Sequence, residues 1–226
     1  MFDILFQLSF VFLVIMFTKN IMDMKKYNDK SELVVLKDLD IDRDKRIMDP
    51  LLIDYKFDTR DVYEYIKNNP LKHYCNGDMC LRLSDFDTLN DVYIYKNDEL
   101  HKDLNIKNMS ENIIEKFQNM YSFNSKYYCS LLKGIVDIKS EKNRNNICIL
   151  GCLHGSCTVY LYNPKHKSML KEDNIKKYGI KIDFEMDKLL YIPSEWYYSI
   201  HNTENSVLLH LQCDTYFTSL YNEYRE

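Results

Sequence analysis

The sequence predicts a mainly β domain with flanking helices, α+β in class, preceded by one hydrophobic helix at the N-terminus. From Asn145 onward the apolar residues recur with period two or in short continuous runs separated by turn residues, the pattern of a sandwich or barrel. Ahead of that point the apolar spacing is helical, as in Ile113, Ile114, Phe117, Met120 and Tyr121. At the start of the chain, residues 4–17 form an apolar run without a single charge. The 226 residues suffice for one domain of roughly 100–200 residues with an appendage. With 19 Tyr and 11 Phe against 5 Gly and 4 Pro, disordered and collagen-like chains are excluded. The 30 Lys and Arg face 34 Asp and Glu, so a cationic surplus for phosphate backbones is missing and nucleic acid is not expected as a partner.

Residues 1–22 are expected to form a membrane anchor or signal-anchor helix. The run ILFQLSFVFLVIMF is interrupted only by Gln7 and Ser9, and it approaches the ~30 Å hydrocarbon core of a bilayer only if its flanks join the helix. No Lys or Arg precedes it, whereas Lys19, Lys25 and Lys26 follow, which places the C-terminal part in the cytosol by the positive-inside rule. A small-x-small cleavage site is missing, so an uncleaved single-pass anchor through residues 4–17 is favoured over a signal peptide or a buried helix. Residues 23–49 read as a charged tether with a strand candidate at 33–36, and residues 50–226 as the domain.

Within the domain, Asp58 or Thr59 can cap a helix that Asn69-Pro70 ends, and a second helix starts at Ser110. Strands are expected at 147–150, 158–162, 188–192, 196–200 and 206–211. Turn signals separate them at Gly155, Asn163-Pro164, Gly179, Pro193-Ser194 and 202–205. Tyr216, Phe217, Leu220, Tyr221 and Tyr224 then give a terminal amphipathic helix that covers a sheet. The triplet Asn108-Met109-Ser110 matches a glycosylation sequon, a pattern common by chance.

Seven scattered cysteines are an odd number over a long chain, unlike a secreted disulfide framework, so a reducing compartment is the simpler reading. His73, Cys75 and Cys80 have zinc-ligand spacing, but the second half of such a site is missing; the plainer reading is ordinary cysteines around the turn Asn76-Gly77-Asp78.

The segment LLYIPSEWYYSI, residues 189–200, resembles the hallmark of the cupin-like JmjC family, in which a Leu-Tyr-Ile-Pro strand turns into a strand opening on an aromatic pair. Upstream, GSCTVYLYNP at 155–164 is similar to that family's Gly-x-Lys-x-x-x-Leu-x-x-Pro strand, and residues 206–213 to its late apolar strand. The resemblance is carried mainly by residues 145–214. It implies a double-stranded β-helix, the cupin/JmjC-like jelly roll, which holds Fe(II) and 2-oxoglutarate through two His and one carboxylate and hydroxylates or demethylates proteins.

Each position that would carry this chemistry differs here. The downstream ligand, five residues after Pro193, is Tyr198; His201 lies three further on and faces the opposite side by strand alternation. The first His-x-Asp falls near Lys142 and Arg144, in a window, 138–146, without histidine, where Asp137 and Glu141 are the nearest carboxylates. The strand lysine that would pair with 2-oxoglutarate is Cys157. The resemblance therefore implies a retained scaffold without metal or cofactor, with Lys142, Arg144, Cys157 and Tyr198 around a vestigial pocket. The leading expectation is a membrane-tethered, non-catalytic domain that binds an unidentified protein partner or serves as a scaffold. The alternative is a divergent Fe(II)/2-oxoglutarate-dependent hydroxylase or demethylase that draws ligands from His154, His201 or His210.

Overall fold

Apolar residues on both faces of a strand force it between two other layers, and three central strands of this protein have that character. A computed structural model describes residues 2–24, 32–39, 41, 47–58, 62–76, 79–118, 122–166 and 179–223. In chain order the elements are α1 (Phe2–Met24), β1 (Val34–Leu36), β2 (Leu51–Asp54), α2 (Val62–Asn68), β3 (His73–Asn76), β4 (Met79–Arg82), α3 (Asp85–Thr88), β5 (Val92–Asn97), α4 (Asp98–Asp103) and α5 (Lys107–Phe117). There follow β6 (Ser122–Lys133), β7 (Val136–Lys142), β8 (Ile147–His154), β9 (Ser156–Tyr162), β10 (Ile180–Glu185), β11 (Lys188–Tyr191), β12 (Tyr197–Asn202), β13 (Ser206–Thr215) and α6 (Tyr216–Glu223).

The strands build a large sheet in the order β1-β2-β11-β8-β13-β6-β5, a small sheet β10-β9-β12-β7, and a separate hairpin β3-β4. Consecutive strands from β6 to β13 change sheet at every connection except β9 to β10, and all their pairings are antiparallel. That order is a jelly roll of the cupin-like kind. The mainly β architecture and all five expected strands are present, each longer or shifted by a residue or two except that β11 ends one residue early.

Cys148, Leu150 and Cys152 of β8, Leu190 of β11 and Leu208 of β13 point into the barrel, where they meet Val159, Leu161, Phe184, Tyr198 and Ile200 of the small sheet. The alternate residues Ile147, Ile149, Leu189, Leu209 and Leu211 form a second core with Phe57, Ile113, Ile114 and Phe117 from the preceding helical layer. Each such side chain contributes about 2 kcal/mol relative to exposure. The helix expected from Ser110 begins at Lys107 and ends at Phe117; Met120 and Tyr121 lie outside the described residues. Ser110 is fully buried, its Oγ bonded to the Ile106 carbonyl at 2.9 Å and to His101 Nε2 at 2.8 Å, which withdraws the sequon hydroxyl into the core. The cap expected at Thr59 and the terminal Tyr224 also lie outside the described residues. The strand candidate of the tether is β1, which pairs in parallel with β2 and so belongs to the large sheet.

Two expectations need correction. Among the described residues no helix is long and apolar enough to cross a membrane, which overturns the single-pass placement through residues 4–17 and the cytosolic orientation deduced from it. The charge-free run rises only about 21 Å, well short of the ~30 Å core. Phe17 instead meets Phe217 of α6 edge-on, ring centroids 6.0 Å apart. The second correction concerns the hairpin, where Cys75 and Cys80 stand directly opposite each other and are disulfide bonded. Sulfurs joined to each other offer no thiolates, so the zinc reading of His73, Cys75 and Cys80 fails, and the reading of ordinary cysteines around the turn gives way to a local disulfide.

Gly155 closes the turn from β8 to β9 with φ +72°, and a Cβ there would stand 1.9 Å from the Asn205 carbonyl oxygen. Gly155→Ala should therefore lower stability by about 3 kcal/mol or more, read as a drop in the urea midpoint with an unchanged slope.

Candidate functional site

Two β-bulges create a polar cluster at one end of the barrel. On β5 the pairing with β6 runs Ile94 to Leu131 and then Asn97 to Cys129, so β5 carries one extra residue, and Lys96 takes the left-handed φ of 50°. On β7 the pairing with β12 runs Ile138 to Ile200 and then Glu141 to Tyr198, so β7 carries the extra residue there. Each bulge turns a charged side chain toward the barrel that regular alternation would have sent to the other face, that of Ile94 for Lys96 and that of Asp137 for Glu141.

The Lys96 ammonium forms an ion pair with Glu141 Oε2. The Tyr198 hydroxyl donates to the same oxygen at 3.0 Å. The ammonium lies 5.1 Å from the Tyr95 ring centroid and 5.6 Å from that of Tyr198, within cation–π range. Burial, first, and the nearby acidic groups push the phenols of Tyr95 and Tyr198 up, so both stay protonated; Tyr198 donates, while the Tyr95 hydroxyl meets no partner. The Lys96 N–H freed by the bulge donates to Ser130 Oγ at 2.9 Å, and Ser130 Oγ lies 2.7 Å from His210 Nε2. His210 is buried, its ring edge-on to Tyr95 at 5.3 Å, and its Nδ1 meets no hydrogen-bond partner. Burial, aided by the Lys96 charge, keeps its pKa well below the usual histidine value. Cys148 lies in the same interior, its thiol pushed up to about 12 by burial.

The four residues expected around a vestigial pocket do not converge. Tyr198 is in the barrel, 2% exposed. Lys142, one residue past Glu141, pairs with Glu195 in the turn that precedes β12. Arg144 is exposed, its carbonyl accepting from Asn222 Nδ2 at 3.0 Å. Cys157 faces the interior opposite Phe184, but it is four residues along β9 from Leu161, the partner of Tyr198, hence about 13 Å away. The three histidines are also apart. His210 is in the barrel, His201 bonds Asp137 at 2.6 Å on the outer side of the small sheet, and His154 ends β8 opposite Val207. Sequence reasoning missed Lys96 and Asn143. Asn143 sits inside the window searched for a histidine, and its amide donates to the carbonyls of Ile192 (2.8 Å) and Pro193 (3.0 Å), fixing the turn into β12.

Among the described residues no group of three or more His, Cys, Asp and Glu is placed to hold a metal. The barrel end offers one carboxylate already paired with an ammonium, and one imidazole whose Nε2 is taken by Ser130. This donor set does not fit Fe(II), which needs two imidazoles and a free carboxylate, nor does Cys157 fit the distal carboxylate of 2-oxoglutarate.

No protein-family model matches the chain, and no curated protein matches it. Solved structures do. Salicylate 1,2-dioxygenase from Pseudaminobacter salicylatoxidans is 11% identical, with a TM-score of 0.28 over 38% of this chain and 20% of that one. The coconut allergen cocosin is 13% identical with a TM-score of 0.33, covering 40% and 22%. KdgF from Halomonas sp. is 12% identical with a TM-score of 0.32, covering 40% and 68%. The chain thus spans about a fifth of the length of the first two. The jelly-roll assignment itself rests on the strand order.

His210 has a counterpart in the helical layer, His101, stacked on Tyr127 at 5.5 Å and held to about 4 by burial. Both are neutral when folded, whereas an unfolded histidine takes up its proton near pH 6.5, so their stabilisation is complete above that pH and is lost as the pH falls. Melting temperature should drop between pH 6.5 and about 4, with His101 alone accounting for up to about 3 kcal/mol. Melting curves of a His101→Gln/His210→Gln variant should show a much shallower fall over that window.

Proposed function

We propose that this protein is a JmjC-like variant of the cupin-like fold that acts as a non-catalytic binding or scaffold domain for a protein partner. The observation that carries the reading is the Lys96 ammonium on Glu141, beneath the Tyr198 hydroxyl. The charge that a bound cation would bring to this carboxylate is supplied by a side chain of the chain itself, and the tyrosine bonds the same carboxylate oxygen. The rest of the interior supports the same reading, since Trp196, Phe184, Leu161 and Ile200 fill it with fully or nearly fully buried apolar side chains. A filled, charge-compensated barrel leaves recognition to the outer surface.

Iron analysis and turnover test this directly. Protein prepared without oxygen and dialysed against Fe(II) should retain far less than one equivalent, and incubation with 2-oxoglutarate should release no succinate above a blank. Stoichiometric iron together with succinate would overturn the reading in favour of a divergent hydroxylase. The ion pair is half-shielded, with side chains 22% and 35% exposed. Lys96→Met should therefore destabilise by about 1–2 kcal/mol, and the Lys96→Met/Glu141→Gln double variant should recover part of that loss in chemical denaturation.

A further inference from the structure

The β3–β4 hairpin carries the exposed sulfurs. Cys75 and Cys80 are both exposed and disulfide bonded, whereas the other five cysteines are buried. Burial pushes the thiols of Cys148 and Cys152 up to about 12, so a thiol reagent meets its targets only on the hairpin. The bond joins residues five apart in sequence that already face each other across a two-stranded ladder. By loop-closure entropy so short a link contributes less than a long one would, but enough to matter for a two-stranded hairpin that is marginal by itself.

The attachment of the hairpin to the domain is more telling. It forms a sheet of its own, outside the ladder of β5. Two side-chain amides tie it there. Asn97 Nδ2 donates to the Cys75 carbonyl at 3.1 Å. The Asn76 amide, in the orientation that satisfies both bonds, donates to the Tyr95 carbonyl at 3.0 Å and accepts the Tyr95 N–H at 2.6 Å. These ties grip β5 on either side of Lys96. Beside them, Tyr74, Asn76 and Leu81 of the hairpin and Tyr93 and Ile94 of β5 line a cavity of about 90 Å³. The residues next to each cysteine are therefore the ones that meet β5.

We propose that Cys75–Cys80 is a reversible redox latch, whose reduction by a dithiol loosens the hairpin from β5 and frees the bulge that aims Lys96 at Glu141. One thiolate of the reductant attacks a hairpin sulfur and forms a mixed disulfide, expelling the other cysteine as a thiolate. The second thiol of the reductant then displaces the remaining cysteine. Two electrons pass to the protein, Cys75 and Cys80 take up the two protons, and the reductant leaves as its own disulfide. The latch is independent of what the barrel binds.

Native full-length protein, oxidised or treated with dithiothreitol, would be alkylated and mapped by mass spectrometry, with hydrogen exchange followed in parallel. Reduction should expose Cys75 and Cys80 alone to alkylation. Exchange should quicken at least tenfold in peptides covering 73–76 and 93–97 and stay unchanged in β8 and β13. A Cys75→Ser/Cys80→Ser variant should show the fast exchange with or without the dithiol. The latch is refuted by any of three results: no alkylation of the pair in native protein, reduced cysteines with unchanged exchange at 93–97, or faster exchange throughout the barrel. Iron loading of the barrel would sink the reading of the preceding subsection and leave this readout as it is.

Discussion

The large sheet bears apolar side chains on both faces, and neither face can be left to water. In β8 the residues Cys148, Leu150 and Cys152 need one cover while Ile147, Ile149 and Leu153 need another. The small sheet supplies the first and the helices before β6 supply the second. Removing either layer would expose a row of residues each worth about 2 kcal/mol, more in sum than the 5–15 kcal/mol by which a domain of this size is stable. The helical layer and the jelly roll therefore share one core.

A polar cluster within such a structure has to be satisfied nearly completely. Lys96 and Tyr198 both bond Glu141 Oε2, and Ser130 takes up the backbone N–H that the β5 bulge releases, while the Tyr95 hydroxyl and His210 Nδ1 stay without a partner. The bulges are what make this possible. Without them Lys96 would share the face of Ile94, toward the helical layer, Glu141 would share the exposed face of Asp137, and the buried Tyr198 hydroxyl would have no carboxylate to accept from it.

The same bulges explain which parts of the site the sequence could reveal. Strands after Asn145 were legible because continuous apolar runs and turn residues mark them directly. Counting from Pro193 along the resemblance singles out Tyr198, and the uninterrupted alternation of β12, with Ile200 and Asn202 inward and His201 outward, accounts for the side it faces. Glu141 was noticed only as a nearby carboxylate. Period two from the exposed Asp137 puts it outside, and an extra residue in β7 reverses that. Lys96 gave no signal whatever, because its role depends on a left-handed backbone at a residue other than glycine and on a partner 45 positions away. The disulfide was hidden by the odd cysteine count, since one local pair among seven leaves no even framework to detect. The membrane placement failed for a plainer reason: the charge-free run gave apolar character without the length a crossing needs.

A carboxylate drawn into a barrel must be compensated, and two kinds of cation can do it. A metal ion brings two charges but needs several further donors, arranged around it and deprotonated. A lysine brings one charge on a tether, needs no other ligand, and gains from the faces of neighbouring tyrosines. Once an ammonium occupies Glu141, a metal would have to displace it and forfeit both the ion pair and the ammonium's contacts with the rings of Tyr95 and Tyr198. His210 does not ease this exchange, because it is neutral and bound to Ser130. The same ion pair that stabilises the barrel end thus stands where any other cation would have to compete for the carboxylate, which ties the stability of the site to its charge compensation.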